Sequence, residues 1–441
     1  MTRKALILGA AGRDFDTFNV FFRENPSYEV VAFTAATQIP FIANRTYPAS
    51  VAGPHYPKGI PIYPEGNLAE VIETNQVTDV FFSYSDVSYD YVMGLASIAQ
   101  SKGASFHLLG PKDTMIRSSK PVVAVVADRT GAGKSTISRM VSDILVKMHL
   151  KPVVVRHPMP YGDLSVAVQR FATHQDLDRY HATIEEREEY EGHIDKGIVV
   201  YAGVDYGAIL KEAEKEGDVV IWDGGNNDFS FYVPDLTITV VDPMRPGDES
   251  RYYPGETNVR LADVLVINKV NIAPRKFVNG LAAACKSLNP RAPVIRTNSV
   301  ATLDKPQLVR RKKVLVVEDG PSVTHGGLSE GAGAVAARQA RGVLVDPRSK
   351  AVGTIRKAFT KFPKLGKVLP ALGYSSQQLK ELEKSINGVE CDAVVLGTPS
   401  DLTRMIRIRR PVVRVRFEAV EVGHRGLESL IRSNKRIASA S

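Results

Sequence analysis

Apolar residues along this chain come mostly in short unbroken runs rather than in strict alternation. KALILG (4–9), EVVAFT (29–34), VVAVVA (122–127), PVVV (152–155), VVIW (219–222), LTITVV (236–241), DVLVI (263–267), KVLVV (313–317) and DAVVLG (392–397) are the clearest of them. Runs of about four to seven residues suit strands buried on both faces between layers of helix. Helical stretches lie between them, amphipathic near 90–102 and 374–388, and acidic at 182–191. Strand and helix in regular alternation predict an α/β protein with parallel sheets. Most runs end in a polar residue or a turn, which brings those groups to the carboxyl edge of the sheet, where ligands bind in such folds.

The pattern divides into three domains. Residues 1–118 predict an N-terminal Rossmann-like α/β domain, with GAAGRDFDTFNVFF after the first strand reading as glycine turn and helix. The turn from Gly9 to Gly12 resembles a dinucleotide fingerprint without its full glycine set, and a tight strand-to-helix turn explains it equally well. Residues 119–304 predict a central phosphate-loop nucleoside-triphosphate domain, and 305–441 a C-terminal α/β domain. The last dozen residues, ending NKRIASAS, read as a short basic disordered tail.

Composition narrows the classes. Cys285 and Cys391 are too few for a disulfide framework or a cysteine-rich metal site, which fits a reduced cytoplasmic setting. MTRKALILGAAGRD reads as a first strand rather than a leader peptide, and no apolar run approaches the roughly 18 residues of a membrane span. The net charge of +9 calls for an anionic partner. Arg404, Arg407, Arg409, Arg410, Arg414 and Arg416 concentrate that charge, and a solvated strand explains them as well as a binding surface does. Without zinc-finger, aromatic RNA-binding or recognition-helix patterns, small anionic metabolites rank above nucleic acid.

The chemistry gathers around DRTGAGKS (128–135). It matches the phosphate loop GxxxxGK[ST] at every defined position but the first, where Asp128 stands, and it follows a strand and opens a helix as the motif requires. Thr130, Gly131, Ala132, Gly133, Lys134, Ser135 and Thr136 are the expected nucleotide cradle, with Lys134 on the β- and γ-phosphates and Ser135 on magnesium. Asp128 would repel a triphosphate unless it points away or serves metal or acceptor. VVIWDGGNND ends a strand in Asp223, a second magnesium candidate, followed by Gly224, Gly225, Asn226, Asn227 and Asp228 as an open substrate edge. VINKVN resembles the guanine-reading NKxD of GTPases through Asn268 and Lys269, but Asn271 replaces the aspartate, which favours ATP.

Acceptor-binding candidates come from strand ends: Arg156, His157 and Tyr161 in RHPMPYGD, Arg170 on the helix expected next, and Asp242, Arg245 and Arg251 in DPMRPGDESR. Arg156 and Arg170 suit planar phosphate clamps and equally suit ordinary ion pairs. His157 and His325 fit either proton transfer or a structural role.

Taken together, GAAGRDFDTFN, RTGAGKS, RHPMPYGDL, QRFAT, TIEEREEYE, VYAGVDY, WDGGNNDF, VVDPMRPG, YYPGE, VINKV, VEDGPSVTHGG and VLGTPSDL resemble the cyclic 2,3-diphosphoglycerate synthetase family, from about residue 3 to about residue 418. The resemblance implies a cytoplasmic homodimeric ligase that uses ATP and magnesium to close 2,3-diphosphoglycerate into a cyclic phosphoanhydride, releasing ADP and phosphate. On that reading Lys134 offsets transition-state charge, Ser135 and Asp223 hold magnesium, and Arg156, His157 and Arg170 hold the acceptor. Two other functions use the same residues: a regulatory or metallochaperone GTPase, and an ATP-dependent ligase or kinase for another anionic metabolite.

Overall fold

The computed structural model describes residues 2–10, 12–36, 42–157, 164–225, 228–324, 329–372, 375–398, 401–423 and 426–440, without the side chains of residues 184, 185, 321 and 322. The protein has the expected α/β architecture with mostly parallel sheets. Its contacts divide it into two compact units: Met1–Ala172 with Ile198–Asn298 and Glu421–Ser441, and Thr173–Gly197 with Ser299–Val420.

The first unit contains two sheets. The N-terminal one is built from β1 (Arg3–Leu8), β2 (Tyr28–Ala35), β3 (Thr46–Tyr47), β4 (Ile60–Pro64) and β5 (Asp79–Phe82), with β6 (Val87–Ser88) apart and β7 (Ser105–His107) at one edge, in the order β3-β4-β2-β1-β5-β7. Only β3 runs antiparallel. The turn after β1 satisfies itself: Asp14 Oδ1 accepts from the amides of Gly12 and Phe15, each at 2.8 Å. That carboxylate takes the helix-start donors that a dinucleotide phosphate would need.

The second sheet comprises β8 (Val122–Ala127), β9 (Pro152–Arg156), β10 (Val168–Phe171), β11 (Val200–Gly203), β12 (Val219–Asp223), β13 (Leu236–Val241), β15 (Val264–Ile267) and β16 (Val294–Leu303), with the short β14 (Tyr252–Tyr253) between β13 and β15 in sequence. Its order is β10-β11-β9-β12-β8-β13-β15-β16, and β10 alone is antiparallel to its neighbour. All six residues of β8 are buried, as a central strand covered on both faces requires. Two links join the segments before and after residue 118 within this unit. β6 pairs with β14, and the Ile116 amide donates to Phe231 O at 2.8 Å.

Arg170 lies on β10, not on a helix. The C-terminal residues also depart from expectation. The segment reaches back to the first unit and folds into the helices Gly426–Ser433 and Lys435–Ala438. Asn434 caps the second, Ile437 is buried, and Arg436 Nη1 lies 3.0 Å from Asp235 Oδ1. Buried apolar area and a paired charge outweigh the ordering entropy that the polar composition suggested.

In the second unit β17 (Lys313–Asp319), β18 (Val343–Leu344), β19 (Leu369–Ala371), β20 (Ala393–Gly397) and β21 (Val412–Glu421) follow the order β21-β20-β17-β18, with β19 also on β17. The acidic helix Ile184–Ile194 belongs here: Glu188 accepts from Thr398 Oγ1, and Glu191 Oε2 from the Asp401 amide at 2.8 Å. Arg414 and Arg404 both face Asp401, so part of the arginine-rich stretch is used for local ion pairing.

Candidate functional site

β8 leads into the phosphate loop, and the helix Lys134–Lys147 starts from it. Gly133 sits at the helix start with φ 106°, and a Cβ there would collide with Asn268 Nδ2, so this position needs glycine for both conformation and space. No side chain caps the helix start, the end of a helix that favours an anion.

Three successive loop carbonyls are each held from outside. Thr130 O accepts from Arg245 Nη1 at 2.8 Å, Gly131 O from Lys269 Nζ at 2.6 Å, and Ala132 O from Asn268 Nδ2 at 2.9 Å. Carbonyl and N–H point oppositely across a peptide plane, so these bonds turn the amides of Gly131 and Gly133 to the other side as donors for an anion, while the Ala132 amide donates to Arg129 O at 3.3 Å. Lys134 opens the helix and is buried, Ser135 follows it, and Thr136 Oγ1 donates to Gly133 O at 2.7 Å. Asn268 and Lys269, expected to read the base, instead brace the loop. Asn268 Oδ1 is fixed by Thr297 Oγ1 at 2.9 Å, and Lys269 Nζ lies 2.7 Å from Asp242 Oδ2.

Asp128 resolves in favour of pointing away. It is buried, accepts from the Asp242 amide at 3.3 Å, and faces the carboxylates of Asp242 and Glu249. Burial, reinforced by Asp242, pushes its carboxyl up to about 8, so it is neutral at pH 7 and does not repel phosphate.

On the other side of β8 the register sets Arg156 beside Asp223. Arg156 Nη1 lies 2.7 Å from Asp223 Oδ1, both side chains are almost fully buried, and Arg156 O accepts from Tyr206 at 2.6 Å. His157 Nδ1 lies 2.7 Å from Asp228 Oδ2, and its ring packs against Gly225, where a Cβ would collide with it. These residues share the carboxyl edge with the phosphate loop. Arg170 does not join them. It makes a two-pronged exposed pair with Glu216, at 2.8 and 2.5 Å, and Lys151 just before β9 marks this as the sheet's opposite edge. That pairing holds the Glu216 carboxyl down at about 2. Arg251 packs against Gly247, away from the loop carbonyls that Arg245 reaches. Tyr161, Asn226, Asn227 and His325 lie outside the described residues.

The donor set suits magnesium. The Ser135 hydroxyl and the buried Asp223 carboxylate are hard oxygen ligands, and magnesium that keeps waters and substrate phosphates needs only one or two from the protein. Among the described residues no cluster of three or more His, Cys, Asp or Glu forms a self-sufficient metal cage.

Sequence reasoning passed over Asp16. It is buried on the helix Arg13–Thr17, and neither carboxylate oxygen has a hydrogen-bond partner among the described residues. The only sequence signal is the pair of acids in GRDFD, which any helix start also favours.

No protein-family model matches the chain. It is 56% identical over 431 residues to arginine synthetase ArcE of Thermococcus kodakarensis, covering 97% of this chain and 96% of that protein. It is 25% identical over 285 residues to cyclic 2,3-diphosphoglycerate synthetase of Thermococcus sibiricus, covering 58% of this chain and 64% of that protein. Among solved structures, the "apo" form of LpxK from Aquifex aeolicus in complex with ATP aligns with a TM-score of 0.45 and 14% identity, over 78% of this chain and 95% of that one. The resemblance drawn from motifs therefore reaches a related family, while the near full-length match is to a synthetase named for a different product.

Proposed function

Because this chain belongs to the family of arginine synthetase ArcE, we propose that it is an ATP-dependent ligase that forms arginine. The near full-length match to that synthetase carries the reading. In chemical terms, building a guanidinium from a ureido amino acid such as citrulline requires an oxygen to leave carbon. The γ-phosphoryl group of ATP transfers to the ureido oxygen and ADP departs. Ammonia then attacks the carbon, and phosphate carries the oxygen away. Citrulline, ammonium and ATP thus give arginine, ADP, phosphate and one proton.

The chain's own residues fit this sequence. The loop amides and Lys134 hold the triphosphate, Lys134 offsets charge on the transferring group, and Ser135 and Asp223 hold magnesium, which neutralises phosphate charge when bound. Arg156 fixes Asp223 by its ion pair, and the His157–Asp228 pair is placed to move a proton as the nitrogen adds.

Closure of 2,3-diphosphoglycerate is the second reading, favoured by the partial match to that synthetase. It needs cationic clamps for two acceptor phosphates. Arg156 is committed to Asp223 and Arg170 lies at the far edge, whereas the acceptor side carries the carboxyl groups of Asp16, Asp205 and Asp228. Carboxyl groups accept hydrogen bonds from a nitrogen substrate and offer a polyanion no cation, which favours the first reading. The test is ADP release with ATP and magnesium in the presence of citrulline plus ammonium, or of 2,3-diphosphoglycerate. Stimulation by the first pair with arginine appearing supports the proposal, and stimulation only by the bisphosphate refutes it.

A further inference from the structure

We propose that the buried carboxylate of Asp16, with Asp228 beside it, forms the subsite that takes the guanidinium group of arginine; this deepens the arginine reading and rests on it. Asp16 and Asp228 are each 1% exposed. A buried carboxylate without a partner is destabilising by several kcal/mol unless it is neutral or meets a cation. Neither oxygen of Asp16, nor Asp228 Oδ1, has a hydrogen-bond partner among the described residues.

None of the cations near Asp16 hydrogen-bonds to it, and His157 pairs with the other oxygen of Asp228 at 2.7 Å. Arg13 Nη1 donates to Tyr253 OH at 3.1 Å, and its guanidinium lies 4.1 Å from the centre of the Phe229 ring. Arg23 Nη1 lies 3.3 Å from Asp205 Oδ2. These groups, Arg13, Asp205, Asp228 and Arg23, are the charges around Asp16, and burial is the dominant influence that drives its carboxyl well above the usual range.

Placement is equally specific. Asp16 lies on the helix Arg13–Thr17, and Asn19 and Arg23 lie on and just after the π-helical turn Phe18–Phe22 that continues it. Asn19 Nδ2 donates to Val204 O at 2.9 Å, and Arg23 reaches Asp205, so this stretch lies on the turn after β11. That turn, together with Asp228 after β12, belongs to the carboxyl edge that carries Asp223 and the phosphate loop. Two carboxylates at such an edge match the planar fork of a guanidinium, and neutral citrulline, which presents an oxygen there, is disfavoured. The N-terminal sheet thereby contributes a specificity residue to a site whose nucleotide half comes from β8.

The experiment is titration of the full chain with arginine and with citrulline, in the presence of a non-hydrolysable ATP analogue, by calorimetry. Losing one charge-assisted bond to a buried group corresponds to about tenfold or more in affinity. Asp16→Asn should weaken arginine by about tenfold or more, leave citrulline and analogue affinities unchanged, and abolish the proton release that accompanies arginine binding. Should Asp16→Asn fail to bind the analogue, Asp16→Ser carries the same test. Retention of the wild-type arginine-to-citrulline ratio in the folded variant overturns the inference while leaving the function intact. Absence of arginine binding by the wild type overturns the function, and the inference with it.

Discussion

Asp128→Asn separates a structural acid from a catalytic one. The carboxyl moves from 3.8 to about 8 on folding, so between those values the folded chain holds a proton that the unfolded chain has released. Stability from this group is therefore fully present below about pH 4 and is lost as pH rises through about 8, at about 1.4 kcal/mol per pH unit. Asparagine keeps the carbonyl oxygen that accepts from the Asp242 amide and does not titrate. Urea melts of both proteins at pH 5 and pH 7 should show the variant gaining about 3 kcal/mol relative to wild type over that interval. The buried Asp16 also titrates, but it does so in both proteins and cancels in the difference. ATP affinity should stay within about twofold, because a neutral side chain turned toward Asp242 and Glu249 gives the phosphates nothing to lose. Parallel stability profiles would refute the buried, protonated assignment, and a large loss of ATP affinity would place Asp128 in the nucleotide site after all.

Other substitutions follow from the same geometry. Lys134→Ala should abolish turnover while circular dichroism stays that of the wild type, since the helix does not need the lysine to form. Asn268→Ala removes the donor to Ala132 O and the acceptor for Thr297, and should weaken ATP binding by about 1–3 kcal/mol, read by calorimetry. Arg156→Ala strands the buried Asp223 carboxylate and should destabilise by about 3–5 kcal/mol in thermal melts. Arg170→Ala breaks only an exposed pair and should change stability by less than about 1 kcal/mol and leave turnover unaffected.

The strands and the phosphate loop were legible because continuous apolar runs and a glycine-rich turn are local signals. The partners of those residues were not. Arg156 meets Asp223 through the register of β9 and β12, a choice made by tertiary pairing that neither segment encodes alone. Arg170 looked like a phosphate clamp because it followed a candidate loop, but an antiparallel β10 carried it to Glu216 instead. Asn268 and Lys269 were recognised as belonging to the nucleotide site, though by a base-reading logic where the chain uses them to aim loop amides. Asp16 carried no pattern, since its importance lies in which charges surround it after folding.

Transfer of isotopic oxygen is the most direct test of the arginine reaction. Citrulline labelled with oxygen-18 in the ureido group is incubated with ATP, magnesium, ammonium and the protein, and phosphate is examined by phosphorus NMR. The account predicts one labelled oxygen in each phosphate released, in step with arginine formed. Phosphate without label, or a cyclic phosphoanhydride formed from added 2,3-diphosphoglycerate while citrulline stays intact, would contradict it.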